Sequence, residues 1–161
     1  MTRGSVLAHA TTRRAATAAD DAFLRALYAS TRTDLDGVGW PDEMRDAVFE
    51  MQWRAQRAGY AATHPRARDE IVELDGRPVG RLLVDGDADD VVLVDVALVP
   101  ECRGLGIGRE LVEDVQRRAA ASGREVRLHV ATGSPARRLY ERLGFVVGGG
   151  SEMHIEMRWR P

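Results

Sequence analysis

Val91 to Arg109 reads VVLVDVALVPECRGLGIGR, and the rest of the 161-residue chain is arranged around it. Its valine-rich first half predicts a buried strand. Pro100 stops that strand. Gly104, Gly106 and Gly108 follow on alternate positions, and then Leu111, Val112, Val115 and Ala119 recur at helical spacing. Strand, glycine loop and helix start in this order form an anion cradle. Glycine lets the backbone approach a ligand closely, and the first helical turn aims unpaired N–H groups and a positive dipole end at it. Arg103 adds a full positive charge beside the loop.

The form of the loop narrows the ligand. A dinucleotide fingerprint needs G-x-G-x-x-G, and Arg109 stands where its third glycine would be. A phosphate-binding P-loop needs Gly-Lys-Ser/Thr, and the chain contains no lysine. What remains is Arg103-x-x-Gly106-x-Gly108. A second signature lies further on, Ser134-Pro-Ala-Arg-Arg-Leu-Tyr-Glu-Arg-Leu-Gly-Phe145.

Working outward, the length suits one domain with a single core, over residues 11–161, after a tail of about ten residues. A formal charge of −2 gives no general reason to expect nucleic-acid or anionic-membrane partners, and no apolar run is long enough to span a bilayer. Cys102 is the only cysteine, so an intramolecular disulfide is impossible and a reducing, cytoplasmic setting is the simpler expectation. Its place beside the cradle invites a nucleophile, but no histidine stands nearby in sequence to activate it.

Thr11 to Thr17 is expected as an edge strand. Asp20 and Asp21 then cap a helix through Ala22, Phe23, Ala26, Leu27 and Ser30. Thr31 to Trp40 is loop-like, and Pro41 opens a second helix that carries Met44, Ala47, Val48, Met51, Ala55 and Ala58. From Glu70 the period becomes two: Glu70–Leu74, the pair Asp75-Gly76, and Arg77–Val84 predict a tight hairpin. Asp85 to Asp90 is expected to be a solvated loop. After the cradle helix, Ser122-Gly123 is a stop and Glu125–Val130 a strand. A helix capped by Ser134, with Pro135 at its first position, is closed by Gly144, and two terminal strands pair around Gly148–Gly150.

Together the two signatures resemble those of GNAT-type N-acetyltransferases: the first its pyrophosphate loop, the second its N-x-x-A-x-x-x-Y-x-x-x-G-F segment. The resemblance covers nearly the whole chain from about Thr11. It implies an α/β (mixed α+β) GNAT fold, whose mostly antiparallel mixed sheet splays between the fourth and fifth strands and is flanked by helices. It implies acetyl-CoA as cosubstrate, no metal, and transfer of an acetyl group to a primary amine of a small molecule or peptide by direct attack. Backbone N–H groups of Arg103, Gly104, Leu105, Gly106, Ile107, Gly108 and Arg109 would hold the pyrophosphate. Ala97, Leu98 and Val99 would pair with the pantetheine arm, with the Leu98 N–H facing the thioester oxygen. Arg137 is a candidate for a coenzyme phosphate. Ser134 replaces the family's usual asparagine, so its helix cap is kept while its coenzyme contact is open.

Tyr140 falls on the family's general-acid tyrosine, and a phenol of pKa about 10 is protonated at neutral pH. The general base stays open. Asp95 is an acid inside an apolar strand, where burial would raise its pKa. His129, Glu73 and a water relay are the alternatives. Tyr28, Asp34 and Trp40, near the acceptor-shaping helices, together with Glu73, are candidates for amine binding through charge and cation–π contact. A coenzyme-binding module without catalysis, and an enzyme for longer acyl groups, are competing classes. The terminal strands, with Trp159, offer a surface for a homodimer.

Overall fold

The computed structural model describes residues 11–86 and 89–161; the expected N-terminal tail lies outside them. The elements follow the order read from sequence: β1 Thr11–Ala15, α1 Asp21–Thr31, α2 Asp42–Thr63, β2 Arg68–Leu74, β3 Arg77–Gly86, β4 Asp90–Leu98, α3 Ile107–Ala120, β5 Glu125–Ala131, α4 Ala136–Arg142, β6 Val146–Gly150 and β7 His154–Trp159. The acidic stretch expected as a loop is shorter than that, because β3 runs on to Gly86 and β4 starts at Asp90.

Local chemistry accounts for the boundaries. Asp75 and Gly76 adopt φ of 51° and 77°, the left-handed pair that a two-residue hairpin turn needs between β2 and β3. Ser134 Oγ accepts the Ala136 N–H at 3.3 Å and so caps α4. At the other end the Phe145 N–H donates to the Tyr140 carbonyl and the Gly144 N–H to the Glu141 carbonyl. This paired closure seats Phe145 edge-on against Tyr140, with ring centroids 5.7 Å apart.

The seven strands form one sheet in the order β1-β2-β3-β4-β5-β7-β6. Every pairing is antiparallel except β4 with β5, which is parallel and covers only Asp90–Leu93 against Glu125–Leu128. Beyond Leu93 the β4 strand keeps β3 as its neighbour while β5 continues against β7, so the sheet opens into a splay. One face carries the main core, in which Val72, Leu82, Val112, Val126, Leu128 and Met157 are almost fully enclosed. Each such side chain contributes about 1.5–3 kcal/mol by leaving water. Leu24, Tyr28, Trp53 and Ile71 form a smaller core under α1 and α2 on the other face.

Two irregularities shape β4. Leu83 faces Asp95 but Val84 faces Leu93, leaving Val94 as an extra bulged residue. Leu93 and Val96 therefore both reach the main core, whereas Asp95 and Ala97 turn to the α1/α2 face. Gly80 sits opposite Leu98, where an added Cβ would lie 2.5 Å from the Ala97 carbonyl oxygen. Gly80→Ala is expected to push the end of β4 outward and to cost about 1–3 kcal/mol. A thermal melt should show this as a drop of several degrees, at roughly 2–4 °C per kcal/mol.

Candidate active site

The cradle lies where β4 ends. Gly104 and Gly106 adopt φ of 75° and 88°, conformations that side-chain-bearing residues rarely adopt, and open space surrounds both. Gly106 is the N-cap of α3, and its carbonyl accepts the Glu110 N–H. The N–H groups of Ile107, Gly108 and Arg109 therefore have no partner within the helix. Gly106, Gly108 and Arg109 of this turn line a cleft of about 630 Å³ between the loop and α4. Leu98, Leu139 and Leu143 give it an apolar floor, and Arg103, Arg109 and Arg142 give it positive charge.

Arg142 was not singled out by the sequence; Arg137 was. Helical phase separates the two. Pro135, Leu139 and Arg142 share the cleft side of α4, while Arg137 is bonded to Glu141 at 2.7 Å and is not among the lining residues. Ser134 is likewise absent from the lining and spends its hydroxyl on the helix cap. Arg103 lines the cleft but also ties it together: its Nε donates to the Leu98 carbonyl at 2.9 Å and its Nη2 to Ser30 Oγ at 3.1 Å.

Strand alternation sorts the expected backbone partners. The Val99 N–H donates to the Val79 carbonyl at 2.8 Å, on the β3 side. Leu98 therefore turns its N–H the other way, into the splay, on the same side as the carbonyl held by Arg103. Asp95 lies three residues before Leu98, beside the splay.

Asp95 opens on a cavity of about 40 Å³ walled by Leu24, Tyr28, Trp53, Gln56 and Arg81. Its side chain keeps 28 % exposure and lines that small cavity. Burial pushes its carboxyl above the ordinary carboxylate range, only partly opposed by the guanidinium of Arg81. Tyr140 is buried on α4, and burial together with the Asp95 charge pushes its phenol up to about 12. Tyr60, on α2, is pushed up to about 12 for the same two reasons. Two tyrosines, one on α2 and one on α4, thus lie in the field of one carboxylate.

His129 shares the Asp95 face of the sheet but is 57 % exposed and paired with Glu156 at 3.5 Å. Of the acceptor candidates, Tyr28 lines the Asp95 cavity, its hydroxyl accepting from Arg32 Nη1 at 2.8 Å. The others stand outside that lining. Asp34 is bonded twice by Arg32, which holds its carboxyl below the usual range. Trp40 is 41 % exposed. Glu73 is held by Arg14, which also grips Asp20. Cys102 is buried with no described histidine bonded to it.

A glycine cradle thus stands at the end of a splayed strand that also carries a desolvated acid, with a buried phenol on α4. The acetyltransferase (GNAT) family profile matches residues 18–145. An uncharacterized N-acetyltransferase of Methanocaldococcus jannaschii is 35% identical over 116 residues, which cover 70% of this chain and 72% of that protein. The PaiA N-acetyltransferase of Thermoplasma acidophilum, crystallised with coenzyme A, superposes with a TM-score of 0.72 at 16% identity, over 94% of this chain and 99% of that one. A GNAT acetyltransferase of Elizabethkingia anophelis with acetyl-CoA bound gives 0.63 at 13% identity, over 94% and 98%. The chain belongs to the GNAT family of acetyltransferases and is an acyltransferase. Among the described residues no helix is long and apolar enough to cross a membrane, and no cluster of metal-ligating side chains occurs.

Proposed function

We propose that the protein moves an acetyl group from acetyl-CoA to a primary amine by direct attack, with Asp95 taking the amine's proton and Tyr140 hydrogen-bonding the departing sulfur. The observation that carries this assignment is the ladder break. β4 leaves β5 at Leu93 and ends, five residues later, at the cradle, so an extended donor arm has a free strand edge leading to Asp95 and Tyr140. The cleft fits that donor. The unpaired N–H groups of Ile107, Gly108 and Arg109 suit a pyrophosphate, Arg109 and Arg142 suit further phosphate charge, and the leucine floor suits the pantetheine arm. The coenzyme supplies the activated acetyl group. The chain supplies the Leu98 N–H for the oxyanion, and proton handling on either side of it.

Asp95 is preferred to His129 as base because it is a desolvated carboxylate of raised pKa beside the splay, whereas the His129 side chain is 57 % exposed and lies against Glu156. Tyr140 is different. A phenol near 12 gives up its proton less readily than a thiol near ~8.5. Full proton transfer is therefore uphill, and Tyr140 acts mainly by hydrogen bonding. Tyr140→Phe is expected to lower kcat about ten- to a hundredfold, at or below the low end of general-acid effects, with the KM for acetyl-CoA unchanged. Steady-state kinetics at saturating acceptor read this directly.

Release of free thiol from acetyl-CoA, screened against small primary amines, lysine-bearing peptides and free peptide N-termini, tests the assignment. Amine-dependent release supports transfer. Tight coenzyme binding with no release for any amine would make the chain a binding module instead. Background is low, because the only cysteine is buried.

A further inference from the structure

Asp69 on β2 and Asp95 on β4 both face Leu83 of β3, so the two carboxylates flank one position of the central strand. Arg81 lies two residues along β3 on the same face, buried, with the Tyr60 ring centroid 5.7 Å from its guanidinium. Its Nε and Nη2 each reach Asp69 at 2.8 Å. Its Nη1 stops 3.7 Å from Asp95. The first is a bidentate pair; the second is a charge contact beyond hydrogen-bond reach.

We propose that Asp69 is a positioning residue for the reaction: by anchoring Arg81 it keeps the guanidinium just short of Asp95, leaving that carboxylate free to exchange a proton. The inference rests on Asp95 being the base. A carboxylate gripped at two points by arginine is a poor base, while a buried one with no cation nearby gives up its proton less readily. The observed arrangement lies between these limits.

The groups around Asp95 are few. Arg81 and Asp69 come from β3 and β2, Tyr60 from α2, Tyr140 from α4, and Tyr28 from α1 with its hydroxyl held by Arg32. His129 of β5 is mostly exposed and occupied by Glu156. Of these, Arg81 opposes the effect of burial on Asp95, and Asp69 reinforces it. The two partners must therefore act with opposite sign.

The test needs no ligand. Carboxyl resonances of the protein labelled with ¹³C aspartate are followed against pH, with Asp95 assigned by its loss in Asp95→Asn. In Asp69→Asn the Asp95 midpoint is expected at lower pH, because a guanidinium held by one neutral amide bond instead of a bidentate ion pair shifts toward Asp95 and a neighbouring negative charge is gone. In Arg81→Met it is expected at higher pH. Thermal melts check folding, and if Arg81→Met does not fold, Asp69→Asn decides alone, since its amide still accepts one bond from Arg81. An Asp95 midpoint that stays in place or rises in Asp69→Asn overturns the proposal. The base assignment fails separately: Asp95→Asn would then turn over an acceptor found in the thiol screen with the wild-type pH profile, whatever the midpoints do.

Discussion

Calorimetric titration of acetyl-CoA is expected to give micromolar-range binding to the native chain and no measurable heat with Gly106→Trp. Gly106 holds the first turn of α3 at φ 88°, a conformation that costs a side-chain-bearing residue about 1–2 kcal/mol. A Cβ built there meets no protein atom within 4 Å, so the side chain has room at its root, and the indole is expected to occupy the space around the cradle. The fold should survive while the pyrophosphate seat is filled. Loss of at least a hundredfold in affinity, about 2.7 kcal/mol, is the expected size, with a melting temperature within a few degrees of wild type. Failure of the folded native chain to bind acetyl-CoA would remove the donor assigned here. The glycine loop would then be only a tight strand-to-helix turn.

Much of this arrangement could be read from the chain because it is written locally. Asp75-Gly76, Ser134-Pro135 and Gly144-Phe145 each fix an element end through chemistry contained within a few residues. Asp95 stands out as an acid in an apolar run, and it lines the small cavity beneath α1 and α2. The residues that were not legible depend on register or phase. Arg81 sits within Gly-Arg-Leu-Leu-Val and looks like an ordinary charged strand position; its carboxylates come from two other strands, 12 and 14 residues away. The bulge at Val94, which turns Asp95 toward α1 and α2, leaves no mark in the sequence. Composition also suggested acids for an amine at Asp34 and Glu73. It could not show that Arg32 and Arg14 already engage them.

Asp95→Asn is expected to lower kcat/KM about 10²- to 10⁴-fold near neutral pH, to leave acetyl-CoA binding intact, and to raise the melting temperature. The three belong together because burial raises the Asp95 pKa in the folded chain. Between its unfolded and folded pKa the native state binds the proton more tightly than the unfolded state does. Native stability from this group is thus full below the unfolded value and falls as pH rises through the folded one. Above that window the ionised carboxylate is a standing cost, and an amide of nearly the same shape removes it. Arg81 is not orphaned by the change, because its two short bonds go to Asp69. The gain in melting temperature should therefore be largest on the alkaline side and shrink toward zero in acid, while activity lost in the variant is lost most where wild-type Asp95 is ionised. A variant less stable than wild type at every pH would mark Asp95 as a packing residue. Unchanged activity would pass the proton to His129 or to a water relay. The predicted opposite movement of stability and rate follows only if the charge that destabilises the fold is the one that accepts the amine's proton.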